Sequence, residues 1–247
     1  MEFSKDILKS FEQKESLSSA IWQKNSEGNV VLKKPIRKKL ILAAKDFIDF
    51  IGVDDLKYNI KDITITGSIA NYNWSKYSDI DLHLIVDFDG FEENEELLKN
   101  IFNTKKNLWN SSHDVKVKGH DVEVYIQDED ESHFSSGVYS VLFDKWLVQP
   151  KPTHIDVDFK VVEEKSRQWM DIIDDVYKSI YDKNPTEVIE DIDKIKNKLK
   201  KFRSSGLDKN GEYSYENLVF KFLRRNGYLK KLFSLKNKLV DYTLSIY

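Results

Sequence analysis

Two aspartates, Asp79 and Asp81, are separated by one residue at the start of a segment, 79–87, that alternates between polar and apolar residues. In an extended strand, side chains two positions apart point to the same face, so both carboxylates are expected on one side. Two such carboxylates can share a pair of divalent cations about 3.5–4 Å apart. Because carboxylate oxygens are hard ligands, the expected cation is Mg²⁺ or Mn²⁺ and not zinc.

A site of this kind usually needs a third carboxylate, and the segment 120–127 offers two candidates. This segment alternates in the same way, with Asp121 and Glu123 on one face. That face would lie beside the first two aspartates if the two strands are neighbours in a sheet. We favour Glu123 as the third ligand because Val122 and Val124 flank it. Asp121 is the alternate, and both could contribute.

A Gly-Ser pair, Gly67 and Ser68, ends the strand that precedes the two aspartates, and ten residues separate Ser68 from Asp79. Glycine allows the backbone to approach a phosphate closely or to adopt a positive φ angle. Ser68 offers a hydroxyl and a backbone N–H to phosphate oxygens. A helix expected after Ser68 would direct its N-terminus at the same anion.

The elements that must position these residues follow from periodicity. Apolar residues at helical spacing predict a helix at 36–51 and another at 91–109, and alternation predicts strands at 62–66 and 79–87. We expect a hairpin of 114–118 with 120–127 that turns at Lys118–Gly119, and, nearer the N-terminus, a short helix around Ala20–Trp22 followed by a loop at 25–28. The rest of the chain has helical patterns at 160–182, 185–203 and 214–246, broken at 184–185 and 204–211.

This layout predicts an α+β fold of the α/β type, with a mixed sheet flanked by helices and a helical domain after it. Pro150 and Pro152 interrupt both periods and favour a boundary between the two halves. We therefore expect an N-terminal segment at 1–35, an α/β domain at 36–150 and a helical domain at 151–247.

Composition narrows the classes of function. The 39 Lys and Arg residues nearly balance the 42 Asp and Glu residues, so the net charge of −3 does not indicate a general nucleic-acid binder. The absence of cysteine excludes disulfides, thiolate metal sites and cysteine nucleophiles. No stretch approaches 18 apolar residues, and the N-terminus lacks the apolar run of a signal peptide. A cytoplasmic protein without a membrane partner is expected.

The Gly67-Ser68 pair followed by Asp79-Ile80-Asp81-Leu82 resembles the signature of the DNA polymerase beta nucleotidyltransferase superfamily. In that family, a Gly-Ser turn precedes a strand with an Asp-x-Asp pair, and a later strand provides a third acid. The resemblance covers residues 63–126. The runs 70–74 and 214–225 are similar to predicted nucleotidyltransferases that are common in phage genomes.

The resemblance implies a nucleotidyltransferase-like fold and a Mg²⁺-dependent (or Mn²⁺-dependent) enzyme of the EC 2.7.7 type. Asp79, Asp81 and Glu123 would be the catalytic metal ligands, and Gly67 and Ser68 would bind the nucleoside triphosphate, for which we expect ATP. The acceptor could be RNA, a small molecule or a protein. Two alternatives stay open: a catalytically silent module that binds a nucleotide or a partner, and an antitoxin-type enzyme that modifies a protein side chain.

Several residues near the motifs have two interpretations. His83 continues the acidic face, where it could touch a metal or a phosphate, but a packing or hydrogen-bonding role is more common for a lone histidine. Tyr72 and Trp74 could stack on a base or cover the core. Lys105 and Lys106 could face the triphosphate, although a solvated helix surface is the more common role.

Lys221, Arg224 and Arg225 lie three and four residues apart in the last helical segment, so they share one helix face. They could bind phosphates or a nucleic-acid acceptor. The alternative is a charged surface that pairs with acids such as Glu216.

Overall fold

The structure, a computed structural model, describes residues 4–53, 56–91, 94–131, 135–152 and 156–246. The chain divides into two compact units, one made of residues 12–153 and the other of residues 1–11 together with 154–247. We call them the sheet unit and the helical unit. The predicted boundaries at 35–36 and 150–151 stay predictions.

The sheet unit begins with a small hairpin, where a helix was expected. Strands β1 (Trp22–Lys24) and β2 (Val30–Leu32) pair antiparallel across the turn that was predicted at 25–28. The predicted helix around Ala20–Trp22 is therefore wrong. Trp22 explains the preference for a strand, because its ring stacks on Trp146 and its Nε1 donates to the Ile69 carbonyl oxygen at 2.9 Å.

The main sheet and its helices follow the predicted order closely. They are α2 (Lys34–Ile51), α3 (Leu56–Asn59), β3 (Ile60–Thr66), β4 (Ile80–Val86), α4 (Glu95–Ser112), β5 (Lys116–Val117) and β6 (His120–Asp128). Pro35 lies in the first turn of α2, and Gly52 ends that helix with φ 69°. The β5–β6 turn has positive φ at Lys118 and Gly119, as a tight hairpin requires.

Two further strands, β7 (Val138–Ser140) and β8 (Lys145–Val148), complete a six-stranded sheet of order β5-β6-β4-β3-β7-β8. Strands β4 and β6 pair in parallel and the other neighbours pair antiparallel, so the sheet is mixed, as predicted. Neither β7 nor β8 was predicted from the sequence, and they are only three and four residues long.

Apolar and polar residues alternate along the central strands, so the sheet has one apolar face and one polar face. Ile65, Leu82, Leu84 and Val124 are buried in one core with Phe47 of α2 and with Phe102 and Trp109 of α4. Each apolar side chain removed from water contributes about 1.5–3 kcal/mol, which fixes the strand register. The residues between them therefore point away from α2 and α4.

The helical unit contains α1 (Lys5–Lys9), α5 (Phe159–Lys178), α6 (Pro185–Asn210), α7 (Tyr215–Arg225) and α8 (Tyr228–Leu244). The side chain of Asn184 caps α6 at Glu187, with Pro185 in the first turn, as the predicted break at 184–185 requires. No helix within the described ranges is long and apolar enough to cross a membrane.

The predicted break at 204–211 begins too early, because α6 continues to Asn210. Gly206 is buried in its last turns, and a Cβ there would lie 2.6 Å from the Glu216 Cβ. Glycine is therefore present to let α7 approach α6, not to end the helix. The segment predicted as 214–246 is two helices, separated by a left-handed Gly227 at φ 79°.

Candidate active site

The parallel pairing of β4 with β6 places the predicted acids beside one another. In this register Asp81 lies opposite Glu123, so their side chains leave the same, polar face of the sheet. Asp79 immediately precedes β4, and its charge, like those of Asp81 and Glu123, acts on the phenol of Tyr125. All three side chains are half-buried.

Gly67 brings the end of β3 against the second aspartate. Its backbone has φ 73° and ψ −161°, which is open to glycine and costly for other residues. A Cβ built on Gly67 would lie 2.0 Å from Asp81 Oδ2. The carboxylate of Asp81 therefore occupies the space that any other side chain at position 67 would need.

Ser68 closes the loop that leads from the glycine to Asp79. Its hydroxyl donates to Ser78 Oγ at 2.8 Å, and Ser78 Oγ also accepts from the backbone N–H of Ser75 at 2.9 Å. The helix expected after Ser68 is a single 3₁₀ turn, Ser68–Ala70, so the predicted helix N-terminus facing the phosphate is wrong. The Ser68 hydroxyl is therefore bonded to the residue before Asp79, and its contact with a phosphate stays a prediction.

His120 links the starts of the two acidic strands. It is buried, and its Nδ1 lies 2.7 Å from the Ser78 carbonyl oxygen. Because a carbonyl oxygen only accepts, Nδ1 carries the proton in this bond. His120 thereby holds the start of β4 beside the start of β6. His120 was not predicted as a site residue. The only indication in the sequence was its position at the start of the alternating segment 120–127.

A layer of aromatic and amide side chains continues the polar face beyond the acids. The rings of His83 and Tyr125 stack with centroids 4.9 Å apart. The ring nitrogens of His83 lie 3.2 Å from Thr66 Oγ1 and 2.9 Å from Gln127 Oε1. These contacts agree with the packing and hydrogen-bonding role of His83.

Tyr125 also contacts the third acid directly. Its hydroxyl donates to Glu123 Oε2 at 2.5 Å. Burial, followed by this hydrogen bond and the charges of Asp81, Glu123 and Asp79, raises the pKa of Tyr125 far above its ordinary value. The phenol is therefore neutral and acts as a donor to Glu123.

Asp121, the alternate ligand, is exposed and forms an ion pair with Lys116 on β5. Lys116 also pairs with Asp114 at 2.7 Å, and these two acids raise the pKa of its ammonium. The pairing directs the Asp121 carboxylate toward β5. This arrangement favours Glu123 over Asp121, although the choice of third ligand stays a prediction.

The remaining candidates from the sequence lie at the border of the site or away from it. Lys106 Nζ lies 5.1 Å from the Tyr125 ring centroid, whereas Lys105 lies over Phe50. Trp74 packs against the core and donates from Nε1 to the Ser16 carbonyl oxygen at 2.7 Å. Lys106 is thus the lysine of the pair that reaches the polar face.

A pre-assembled metal cage is absent from the described ranges: they contain no group of three or more His, Asp or Glu side chains placed to hold an ion. Two contacts involve oxygen atoms of the acidic face. Asp81 Oδ2 rests against Gly67, and Glu123 Oε2 is hydrogen-bonded to Tyr125. The three acids share the polar face of the sheet, and their role as metal ligands stays a prediction.

Comparison with protein families identifies a match that includes these residues. The family described as "Nucleotidyltransferase domain" matches residues 52–136. This match is consistent with the polymerase beta-type nucleotidyltransferase superfamily. The comparison with curated proteins found no match to the chain.

The nucleotidyltransferase domain spans strands β3 to β6 and therefore includes Gly67, Ser68, Asp79, Asp81 and both candidate third acids. It supports nucleotidyl transfer as the general activity and implies a nucleotide substrate. Domains of this family generally use divalent metals and nucleoside triphosphates.

Proposed function

We propose that the protein transfers a nucleotidyl group from a nucleoside triphosphate, with ATP as the expected donor, to an acceptor oxygen. A bond forms between that oxygen and the α-phosphorus, and the bond from the α-phosphorus to the bridging oxygen breaks. Pyrophosphate leaves, and a hydroxyl acceptor releases its proton to water. One observation carries the proposal: Asp81 and Glu123 are register partners on parallel strands, with Asp79 two residues before Asp81.

The donor set fits Mg²⁺ or Mn²⁺. Asp79, Asp81 and Glu123 supply hard oxygen ligands, and the bare Cα of Gly67 leaves room for the Asp81 carboxylate. Asp79 and Asp81 would hold both cations, and Glu123 would mainly serve the cation on the acceptor side. Bound cations would polarise the phosphate oxygens and lower the pKa of the acceptor hydroxyl.

The chain's own residues would orient the reactants. The Gly67-Ser68 turn would present backbone to the triphosphate, while Ser78 and His120 hold Asp79 at the mouth of β4. Tyr125 would hold the Glu123 carboxylate at the acidic face until Glu123 binds a cation. Lys106, beside Tyr125, would contribute positive charge close to the phosphates.

A second function, a silent module that binds a nucleotide without chemistry, is favoured by one contact. The Tyr125 hydroxyl occupies Glu123 Oε2, and the described residues hold no three-membered group ready for a metal. In this second function the acidic face would be a remnant of the fold, because folds persist after their chemistry is lost.

The test is transfer of label from each α-labelled triphosphate, with Mg²⁺, to RNA, DNA and protein pools. We expect one pool to be labelled, and Asp81→Asn to reduce labelling by roughly a hundredfold or more. Asp121→Asn is the matched control and should retain activity. Binding of a triphosphate without labelling of any pool would reject the enzyme and favour the silent module, and labelling of the protein pool alone would identify the antitoxin-type enzyme.

A further inference from the structure

A cluster of basic side chains lies where α6 packs against α7 in the helical unit. Arg203 of α6 donates from Nε to Asn217 Oδ1 at 3.1 Å. Its guanidinium carbon lies 4.6 Å from the Phe220 ring centroid. A guanidinium held by both a hydrogen bond and an aromatic face has a fixed orientation. Arg203 is therefore anchored on the surface of α7.

Two cations of α7 adjoin this anchored guanidinium. Lys221 lies four residues after Asn217, and Arg224 lies four residues after Phe220. Side chains four apart on a helix are neighbours, so both flank Arg203. In agreement, the charge of Arg224 adds to burial in lowering the pKa of Arg203.

Lys221 is the unusual member of the cluster. It is half-buried, and among the described residues no hydrogen bond or ion pair involves its ammonium. Burial lowers the pKa of Lys221 to about 8, opposed by the nearby Glu212 and reinforced by Arg225, Arg224 and Arg203. A charge partly removed from water and set among like charges is destabilised, and a bound anion would offset that destabilisation.

We propose that Arg203, Lys221 and Arg224 form a binding site for a phosphate group within the helical unit. Two guanidinium groups can each offer paired N–H donors to phosphate oxygens, and Lys221 adds a compact positive charge. Arg225 instead contacts the residues that follow α1: it donates to Ser10 Oγ at 2.8 Å and lies over the Phe11 ring. The site does not rest on the proposed nucleotidyl transfer.

The first experiment measures thermal unfolding of the full chain against inorganic phosphate, with sodium chloride matched for ionic strength. We expect phosphate to raise the melting temperature, because a ligand that binds only the folded state stabilises it. Lys221→Met should reduce phosphate affinity at least tenfold, whereas Lys238→Met, an exposed lysine of α8, should leave it unchanged. An equal response to chloride and phosphate would overturn the proposal.

Proton linkage provides a second measurement that does not depend on the stability of a variant. At pH 8.5 the ammonium of Lys221 is largely deprotonated, because burial, opposed by Glu212 and reinforced by Arg225, Arg224 and Arg203, lowers its pKa to about 8. A bound phosphate would restore the charge of Lys221, so binding should take up a proton. Calorimetry in two buffers of different ionisation enthalpy should detect this uptake, and Lys221→Met should abolish it. Binding without proton uptake in the parent chain would place phosphate elsewhere.

Affinities for ATP and for a short RNA distinguish the possible sources of the phosphate group. Lower affinity of Lys221→Met for ATP alone assigns the site to a triphosphate, and lower affinity for a short RNA alone assigns it to a nucleic-acid backbone. Unchanged affinity for phosphate, ATP and RNA would overturn the site. Asp81→Asn should leave phosphate binding intact, so failure of the proposed activity and failure of this site can be distinguished.

Discussion

Gly67 is the residue whose substitution should be most informative, because it combines a positive φ with contact to a predicted ligand. Gly67→Ala introduces a Cβ where Asp81 Oδ2 now lies. We expect a loss of about 1–3 kcal/mol in the free energy of unfolding from backbone strain. Displacement of Asp81 should also remove nucleotidyl transfer and any metal-induced rise in melting temperature.

Gly28 provides the matched control. Its φ is 83°, and a Cβ there would meet nothing within 4 Å. Gly28→Ala should therefore lower the free energy of unfolding in urea through backbone strain, and it should keep full activity and the metal-induced rise in melting temperature. Equal activity of the two alanine variants would show that the contact between Gly67 and Asp81 has no role in the site.

The clustered acids make a prediction about metal-linked stability. Carboxylates on one face repel one another in metal-free buffer, and a cation bound only to the folded state stabilises it by about 2.7 kcal/mol at 100 times its dissociation constant. Mg²⁺ or Mn²⁺ should raise the melting temperature of the parent chain. The double variant Asp79→Asn, Asp81→Asn should lose this response and, without metal, melt higher than the parent.

Asp121→Asn is the control for that experiment and should keep the metal response, since Asp121 pairs with Lys116. A double variant that melts lower than the parent in metal-free buffer would contradict the repulsion between the acids. Loss of the response in Asp121→Asn would make Asp121 the third ligand.

Tyr125 should restrain Glu123 in the metal-free protein. Tyr125→Phe removes the hydroxyl bonded to Glu123 Oε2 and keeps the ring against His83 and Lys106. We expect Mn²⁺ to bind roughly two- to tenfold more tightly, the equivalent of one hydrogen bond of about 0.5–1.5 kcal/mol. Titration by calorimetry measures this change. Unchanged affinity would mean that Glu123 is not a ligand.

The residues that carry the proposed chemistry could be predicted from the sequence because alternation and short spacing determine them. Asp79 and Asp81 share a face by period two, and the Gly-Ser pair precedes them in the chain. His120 could not be assigned, because its role depends on Ser78, a partner outside β6. A contact between distant segments leaves no local pattern.

Strands β3 and β7 are joined by a buried acid that makes stability depend on pH. Asp62 Oδ1 accepts from Ser140 Oγ at 2.8 Å and from the backbone N–H of Ile63. Burial outweighs these bonds and raises the pKa of Asp62 above its ordinary value of 3.8. The folded state thus favours the protonated acid, and stability is lost as pH rises through the raised pKa.

Asp62→Asn should remove this dependence while keeping the acceptor oxygen. We expect a higher urea midpoint than the parent at pH 7 and a similar midpoint at pH 3, where the parent acid is protonated in both states. Asp130→Asn, at an exposed position of the same unit, should change the midpoint little. A lower midpoint for Asp62→Asn at pH 7 would contradict a penalty for the ionised acid.

Long periodic elements were predictable and short ones were not. Helix α2 and strands β3, β4 and β6 were expected within a few residues of their observed bounds. Strands β7 and β8 are too short for alternation to stand out, and the β1–β2 hairpin depends on the packing of Trp22 against Trp146. Long-range packing overrides weak local preference at these places.

The division of the molecule into two cores predicts separable unfolding. Phe11 is buried and, with α1, belongs to the helical unit despite its distance in sequence from α5. Phe11→Ala should destabilise that unit by about 3–5 kcal/mol. Helical circular dichroism should report a lower midpoint, while Tyr181→Ala, an exposed aromatic of the same unit, should change it little.

Tryptophan fluorescence isolates the other core. Of the five tryptophans, Trp169 lies in the helical unit and the other four in the sheet unit, so Trp169→Phe leaves only sheet-unit signals. In that background Phe11→Ala should leave the fluorescence midpoint near that of the parent. An equal fall of both midpoints would contradict two separate cores. The sequence could indicate two halves, because strand patterns stop near residue 150 and helical patterns follow. No periodicity reveals that residues 4–11 belong to the same compact unit as residues 156–246.

One amide closes the outer side of the strand that carries Glu123. Beyond β5, the backbone of β6 at Val124 accepts from Asn110 Nδ2 at 3.1 Å and donates to Asn110 Oδ1 at 3.0 Å. A side chain of α4 thereby replaces a neighbouring strand. Because α4 precedes β6 in the chain, the ribosome releases Asn110 before Val124. The Asn110 side chain is therefore already synthesised when β6 leaves the ribosome. The exposed backbone of β6 at Val124 then has a hydrogen-bonding partner in its own chain before another polypeptide can pair with it.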